Sequence, residues 1–205
     1  MPRRVQKEAE RTRRRILASA LSFFVKKGYE HTTFTDIASR LGMTKGAVYW
    51  HFKSKTALLM ALVDEMREKF SRQAEELMPK DGLTFPAVAE MMVANAERIL
   101  DDAKGKAYFM LMLTQIRWGD DSMSRVREYL LSRSKNGPYH TFIRAIENDK
   151  AAGRVREDVN SVAVASACVS VWDGLVRGQI DRLLECDLAA ALRNSYAAFW
   201  KSIST

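Results

Sequence analysis

A chain of 205 residues with 47% hydrophobic and 28% charged side chains, four prolines and ten glycines has the make-up of a folded, mostly helical protein with ample material for a core. Its two cysteines, Cys168 and Cys186, stand in no CxxC spacing and have no histidine close in sequence, which argues against a metal site and for reduced, ordinary thiols. The net charge of +8 is confined: residues 1–56 hold 13 Lys or Arg against 4 Asp or Glu, and the remaining residues 20 against 21, the footprint of a small polyanion-binding module on a near-neutral body.

No apolar run of membrane-spanning length occurs, and the N-terminus opens basic without the apolar stretch of a secretion signal. The expectation is a cytoplasmic chain with no membrane partner.

Along the chain, Ile16, Leu17, Ala20, Leu21, Phe23 and Phe24 form the stripe of a first helix over 8–27, closed by Gly28. Its other face is basic, with Arg11, Arg13, Arg14 and Arg15. The first few residues are expected to be disordered, with Arg3, Arg4 and Lys7 as a basic arm that either follows DNA or is a solvated tail. Thr33 and Asp36 form a capping-box signature for a short second helix to Leu41, stopped by Gly42. Thr44 can cap a third helix through Phe52, with Val48 and Phe52 inward and Lys45, Tyr49 and His51 outward. Ser54 then caps a fourth helix to about Met78, broken by Pro79 and Gly82.

Further helices are expected near 85–102, 105–118, 122–152, 158–184 and 188–203, with Gly137-Pro138 kinking or splitting the third of these. Strand alternation is missing throughout, so the expected fold is all-α. The expected domains are residues 1–56, basic arm included, and 57–205.

Three short helices with a glycine turn between the second and third match helix-turn-helix geometry, whose third helix enters the major groove. Gly46 and Ala47 keep its leading end slim, and Lys45 can reach guanine acceptors. Tyr49, Trp50 and His51 offer donors and an aromatic face to bases, sugars or phosphates. Thr33, Thr44 and Lys55 stand at helix N-termini, where phosphates bind. Phe52 reads as core. Trp50 is open between core and DNA, and His51 between a phosphate contact and a local hydrogen bond.

The stretch from Thr33-Thr-Phe-Thr-Asp-Ile-Ala through Gly46-Ala-Val-Tyr-Trp-His-Phe-Lys-Ser-Lys55 closely resembles the DNA-binding signature of the TetR family, and the similarity covers roughly residues 11–62. Beyond it, Trp172-Asp-Gly-Leu175 resembles the AcrR-type efflux repressors. The resemblance implies that Thr33, Thr44, Lys45, Tyr49, His51 and Lys55 contact operator DNA while Gly46 and Ala47 let the helix seat. It also implies an N-terminal helix-turn-helix domain, a C-terminal helical ligand-binding and dimerisation domain, and a repressor that releases a pseudo-palindromic double-stranded operator when a small lipophilic effector binds. Two same-fold alternatives stand beside it: an adaptor that contacts a protein partner without a small-molecule ligand, and an activator.

For the effector, Met66, Phe70, Met92, Phe109, Met112 and Leu113 are soft or aromatic groups suited to a pocket, and equally to ordinary core packing. Trp172 and Asp173 complete the candidate set. A carboxylate in an otherwise apolar helix needs a partner: a cationic ligand, or Arg177 one turn on. Val164, Cys168, Val171 and Leu175, with Leu188, Leu192, Tyr196, Phe199 and Trp200, form apolar faces expected to make a homodimer through the last two helices. His31, His51 and His140 are scattered, with no paired carboxylate or nucleophile and no phosphate-binding glycine loop, so neither an enzyme nor a cofactor is expected.

Overall fold

The computed structural model describes residues 3–77, 82–133 and 137–205. Among them the chain forms α1 (Arg3–Lys27), α2 (Phe34–Leu41), α3 (Lys45–His51), α4 (Lys55–Leu77), α5 (Phe85–Asp101), α6 (Ala103–Met110), α7 (Ser124–Arg133), α8 (Pro138–Ala151), α9 (Ser161–Ile180) and α10 (Leu188–Ile203). The one β feature among the described residues is an isolated antiparallel bridge, Val155 to Ser204.

Packing divides the chain into two compact units, Met1–Glu68 with Ala107–Leu130 and Lys69–Lys106 with Leu131–Thr205. The division does not fall at residue 56, because α4 and α6 each lend residues to both units.

In the first unit, α1 begins at Arg3, earlier than the apolar stripe predicts and in place of a disordered arm. Its leading residues lack glycine and proline and are rich in Arg, Lys, Glu and Gln, so backbone propensity carries the helix where no burial helps. Ile16, Leu17, Ala20, Leu21 and Phe24 are buried, as are Ile37, Ala38 and Val48 of the next two helices and Leu58, Leu59 and Leu62 of α4, and α2 packs on both α1 and α3. The helix expected over 105–118 is α6 followed by a π-helical turn, Leu111–Gln115, after which the chain is extended at Ile116. The Trp118 indole N–H donates to the Met112 carbonyl at 2.8 Å and the Thr114 hydroxyl to Met110 at 2.6 Å, taking acceptors that a continuing helix would use.

The second unit packs α5, α8, α9 and α10 together. Gly137-Pro138 splits the expected 122–152 helix, with Pro138 at the first position of α8; the expected break at Pro79 lies outside the described residues. α9 starts at its Asn160 cap rather than at 158 and stops at Ile180. Arg182 there takes the left-handed conformation (φ 59°) that normally falls to glycine. Phe85, Phe142, Tyr196 and Trp200 form an aromatic cluster with ring centroids 5.5–5.7 Å apart.

Cys168, Leu188, Leu192 and Tyr196, expected on an intersubunit face, are buried inside the protomer's own unit. Periodicity marks them as apolar, but α9 and α10 cover them by packing on each other and on α8 and α5. Val164, Val171, Leu175, Phe199 and Trp200 stay half-buried.

Asp149 is fully buried on α8 and holds three segments at once. Its carboxylate accepts from the Phe85 N–H at the start of α5 (2.7 Å) and pairs with Arg154 (2.7 Å), while its carbonyl accepts the N–H of Arg154. Removing it leaves a buried N–H without an acceptor. Asp149→Ala is expected to cost about 2–4 kcal/mol in urea unfolding; a loss below about 0.5 kcal/mol would contradict this role.

Candidate nucleic-acid interface

The reading module is built from caps and two inward side chains. The Thr33 hydroxyl accepts from the Asp36 N–H, and the Asp36 carboxylate accepts from the Thr33 N–H and hydroxyl, closing both halves of the capping box. Lys27 at the end of α1 donates to the same carboxylate at 2.9 Å. These bonds, that of Lys27 foremost, hold the Asp36 carboxyl down at about 2. Gly42 then turns the chain in the left-handed region (φ 63°), and Thr44 caps α3 by accepting from the Ala47 N–H.

α3 is seated by Val48 (0% exposed) and Phe52 (4%). Arg13 of α1 lies over the Phe52 ring, 5.1 Å from its centroid. Lys45 and Gly46 are exposed on the opposite side and Ala47 is half-buried. Tyr49 (43% exposed) leans on Phe34 at 4.7 Å, with the Lys45 ammonium 5.7 Å from its ring. Trp50 is 66% exposed, which settles its open reading against the core. His51 is half-buried, edge-on to Trp50 at 4.6 Å. Burial, then the nearby Arg13 charge, lower its pKa below the usual 6.5.

Two of the expected contact residues have structural engagements. Thr33 uses its hydroxyl in both directions within the capping box. Lys55 donates to the Glu30 carbonyl at 2.7 Å and sits 4.7 Å from the Tyr29 ring centroid, with its pKa lowered by burial; it ties the start of α4 to the loop after α1. Sequence reasoning missed Arg13 and Lys27 as the groups that fix α3 and α2 against α1. Both pairings are non-local, and no spacing rule announces them.

The eight effector candidates are divided between the units. Met66 (buried), Phe109, Met112 and Leu113 (half-buried) belong to the first. Phe70, Met92, Trp172 and Asp173 belong to the second. There Met92 and Trp172 are core, the indole N–H donating to the Met92 carbonyl at 3.0 Å. Two hollows in the second unit are lined by none of the eight. One, about 600 Å³, is a groove bordered by Leu77, Glu97, Arg98, Asp101, Cys186 and Asp187. The other, about 210 Å³, lies between α5 and α10 beside Phe85, Tyr196 and Trp200, with the Glu90–Arg193 pair (3.1 Å) at its rim.

Asp173 has no ion pair among the described residues, because Arg177 reaches Asp181 (3.5 Å) instead. Burial pushes its carboxyl up to about 6, and its charge helps raise the pKa of Tyr196.

Residues 16–62 match the profile of bacterial regulatory proteins of the tetR family. Within that segment the chain carries a tetR-family N-terminal domain. It is 28% identical over 178 residues to the transcriptional regulator TtgR of Pseudomonas putida, covering 86% of this chain and 84% of that one. Its fold is that of NalD, described as the secondary repressor of the MexAB-OprM multidrug efflux pump in Pseudomonas aeruginosa (TM-score 0.75, 20% identity, 97% and 98% of the two chains). It is also that of the protein in the SmeT–triclosan complex (0.77, 22%, 95% and 92%). TtgR is named as a transcriptional regulator and NalD as a repressor.

The raised carboxyl of Asp173 has a pH signature. Between about pH 4 and 6 the folded chain binds a proton that the unfolded chain, titrating near the ordinary value of about 4, does not. The group's contribution is therefore present below about pH 4 and is lost as pH rises through about 6. Asp173→Asn should be more stable than the parent by about 1–2 kcal/mol at pH 7.5, after allowance for partial exposure, with the gap closing at pH 4. Urea unfolding at both pH values checks this; a gap independent of pH would remove the desolvation account.

Proposed function

We propose that the chain is a repressor that binds a pseudo-palindromic double-stranded operator as a homodimer and leaves it when a small lipophilic, cationic or hydrogen-bond-donating effector binds. Residues 1–56 carry the DNA contacts and 57–205 the effector and dimer functions. The observation that carries the reading is the outward face of α3, where Lys45, Tyr49 and Trp50 stand exposed on a helix seated from the other side by buried Val48 and Phe52. An exposed surface, basic and aromatic, beginning with a slim Gly46-Ala47 turn, is what groove entry requires.

Dimerisation is supported by α9, whose Val164, Val171 and Leu175 are apolar yet half-exposed beside a fully buried face, and by Phe199 on α10. Pairing sets two recognition helices about 34–36 Å apart, or a multiple of that, to meet successive major grooves. Asp173 supports the effector's chemistry: an uncompensated, desolvated carboxylate favours a donor or a cation. The efflux connection rests on NalD's description and the lipophilic ligand on the SmeT complex. A DNA-bound regulator works in the cytoplasm. The competing reading is a same-fold adaptor that contacts a protein partner and takes no small molecule, favoured by the close packing of Trp172 on Met92.

The test is a mobility shift on the chain's own upstream DNA, repeated with a panel of lipophilic cations, dyes and antibiotics. Lys45→Ala and Tyr49→Ala should each weaken specific binding by about tenfold or more with unchanged circular dichroism, in line with about 1–3 kcal/mol per base-reading contact; full binding by both would overturn the face assigned to α3. Asp173→Asn should alter release by cationic compounds while leaving operator affinity nearly intact. Binding indifferent to every compound would favour the adaptor.

A further inference from the structure

The leading half of α1 is helical without a core to explain it. No side chain from Val5 to Arg15 is buried, and the matched family segment begins only at residue 16. A helix polar all round needs many internal ion pairs or an external partner. The stretch has Arg14 to Glu10 at 3.2 Å, with both side chains largely exposed, and such a pair adds little.

Its charge is ordered. Residues 3–15 hold seven Lys or Arg against two Glu. Lys7, Arg11 and Arg14 follow each other at i, i+4 and i+7, with Arg15 beside them, all exposed, so they share one side of the helix. Arg3 and Arg4 precede Lys7 at the same spacing. At 1.5 Å per residue the stripe is about 18 Å long. It also has a fixed place: Arg13 lies over Phe52, at the C-terminal end of α3, and Glu10 and Arg13 are both close enough to His51 to shift its proton affinity.

We infer that this basic stripe of α1 is a second DNA contact, a rigid rail that lies along backbone phosphates flanking the half-site read by α3. The occupant is duplex DNA. The rail leaves the module beside the recognition helix, where the walls of an occupied groove are phosphates, and it lacks the Leu, Phe or Trp face with which an amphipathic helix enters a membrane surface. Because phosphates carry no sequence, the rail strengthens specific and non-specific binding alike. The inference rests on the operator-binding reading above.

The experiment compares the parent chain with Lys7→Gln/Arg11→Gln/Arg14→Gln, which removes charge and keeps helix propensity, by titrating salt against operator DNA and against a scrambled duplex. Each lost phosphate contact lowers the slope of log affinity against log salt by about 0.9. The triple variant should therefore lose about 2–3 from the slope and about tenfold or more in affinity near 100 mM salt, on both duplexes, with the specificity ratio and the melting temperature unchanged. Glu8→Gln, which removes a negative charge beside the stripe, should bind more tightly than the parent on both duplexes. If the parent binds its operator specifically while the triple variant keeps the same slope and affinity, the rail is overturned and operator binding stands. If the parent shows no specific binding, the operator reading fails and the rail falls with it.

Discussion

A seven-residue helix has no stability of its own in water, since the cost of nucleating it exceeds what two turns return. α3 is such a helix, and the arrangement of the first unit follows from having to hold it. Thr44 satisfies its leading N–H groups, Val48 and Phe52 fix it from beneath, and Arg13 lies over Phe52. With its stability supplied from one side, the other side is released from packing. A tryptophan two-thirds exposed to water would be a liability on an ordinary surface, and it is tolerated here because α3 does not depend on it.

The second unit solves a different problem. α9 has one face closed by Ala165, Cys168, Trp172 and Val176 and another that is apolar but only half-covered. Asp173 is desolvated and has no ion pair among the described residues. Ion pairs elsewhere in the unit are made where charge approaches the interior, as at Asp149 with Arg154 and Lys69 with Asp102. Against that background the lone carboxylate is a local cost to folding.

What was legible in the sequence is local. Capping residues, glycine turns and the i, i+4 pair of Val48 and Phe52 place α2 to the residue and α3 to within one, its end falling at His51 rather than Phe52, and Pro138 marks the start of α8. These signals act within one or two turns, and so does the family signature. The missed features are those decided elsewhere in the chain. α1 runs on to Arg3 although no apolar stripe marks it. Arg182, not a glycine, ends α9 in the left-handed region. Cys168 and Tyr196 read as candidates for an intersubunit face and are core, because periodicity gives a side but not the neighbour on that side. Lys55 reads as a phosphate ligand and is found holding a loop carbonyl, a contact 25 residues away. The effector candidates fall in both units, since softness and size do not say which unit a methionine joins.

The π-helical turn at Leu111–Gln115 has a mechanical meaning. It holds an extra residue in a turn of otherwise ordinary winding, as an extra half-row of atoms sits in a crystal, and it packs against α1 near Gly28. Backbone acceptors left over by the mismatch are taken by Thr114 and Trp118, so the defect is pinned by two side-chain bonds.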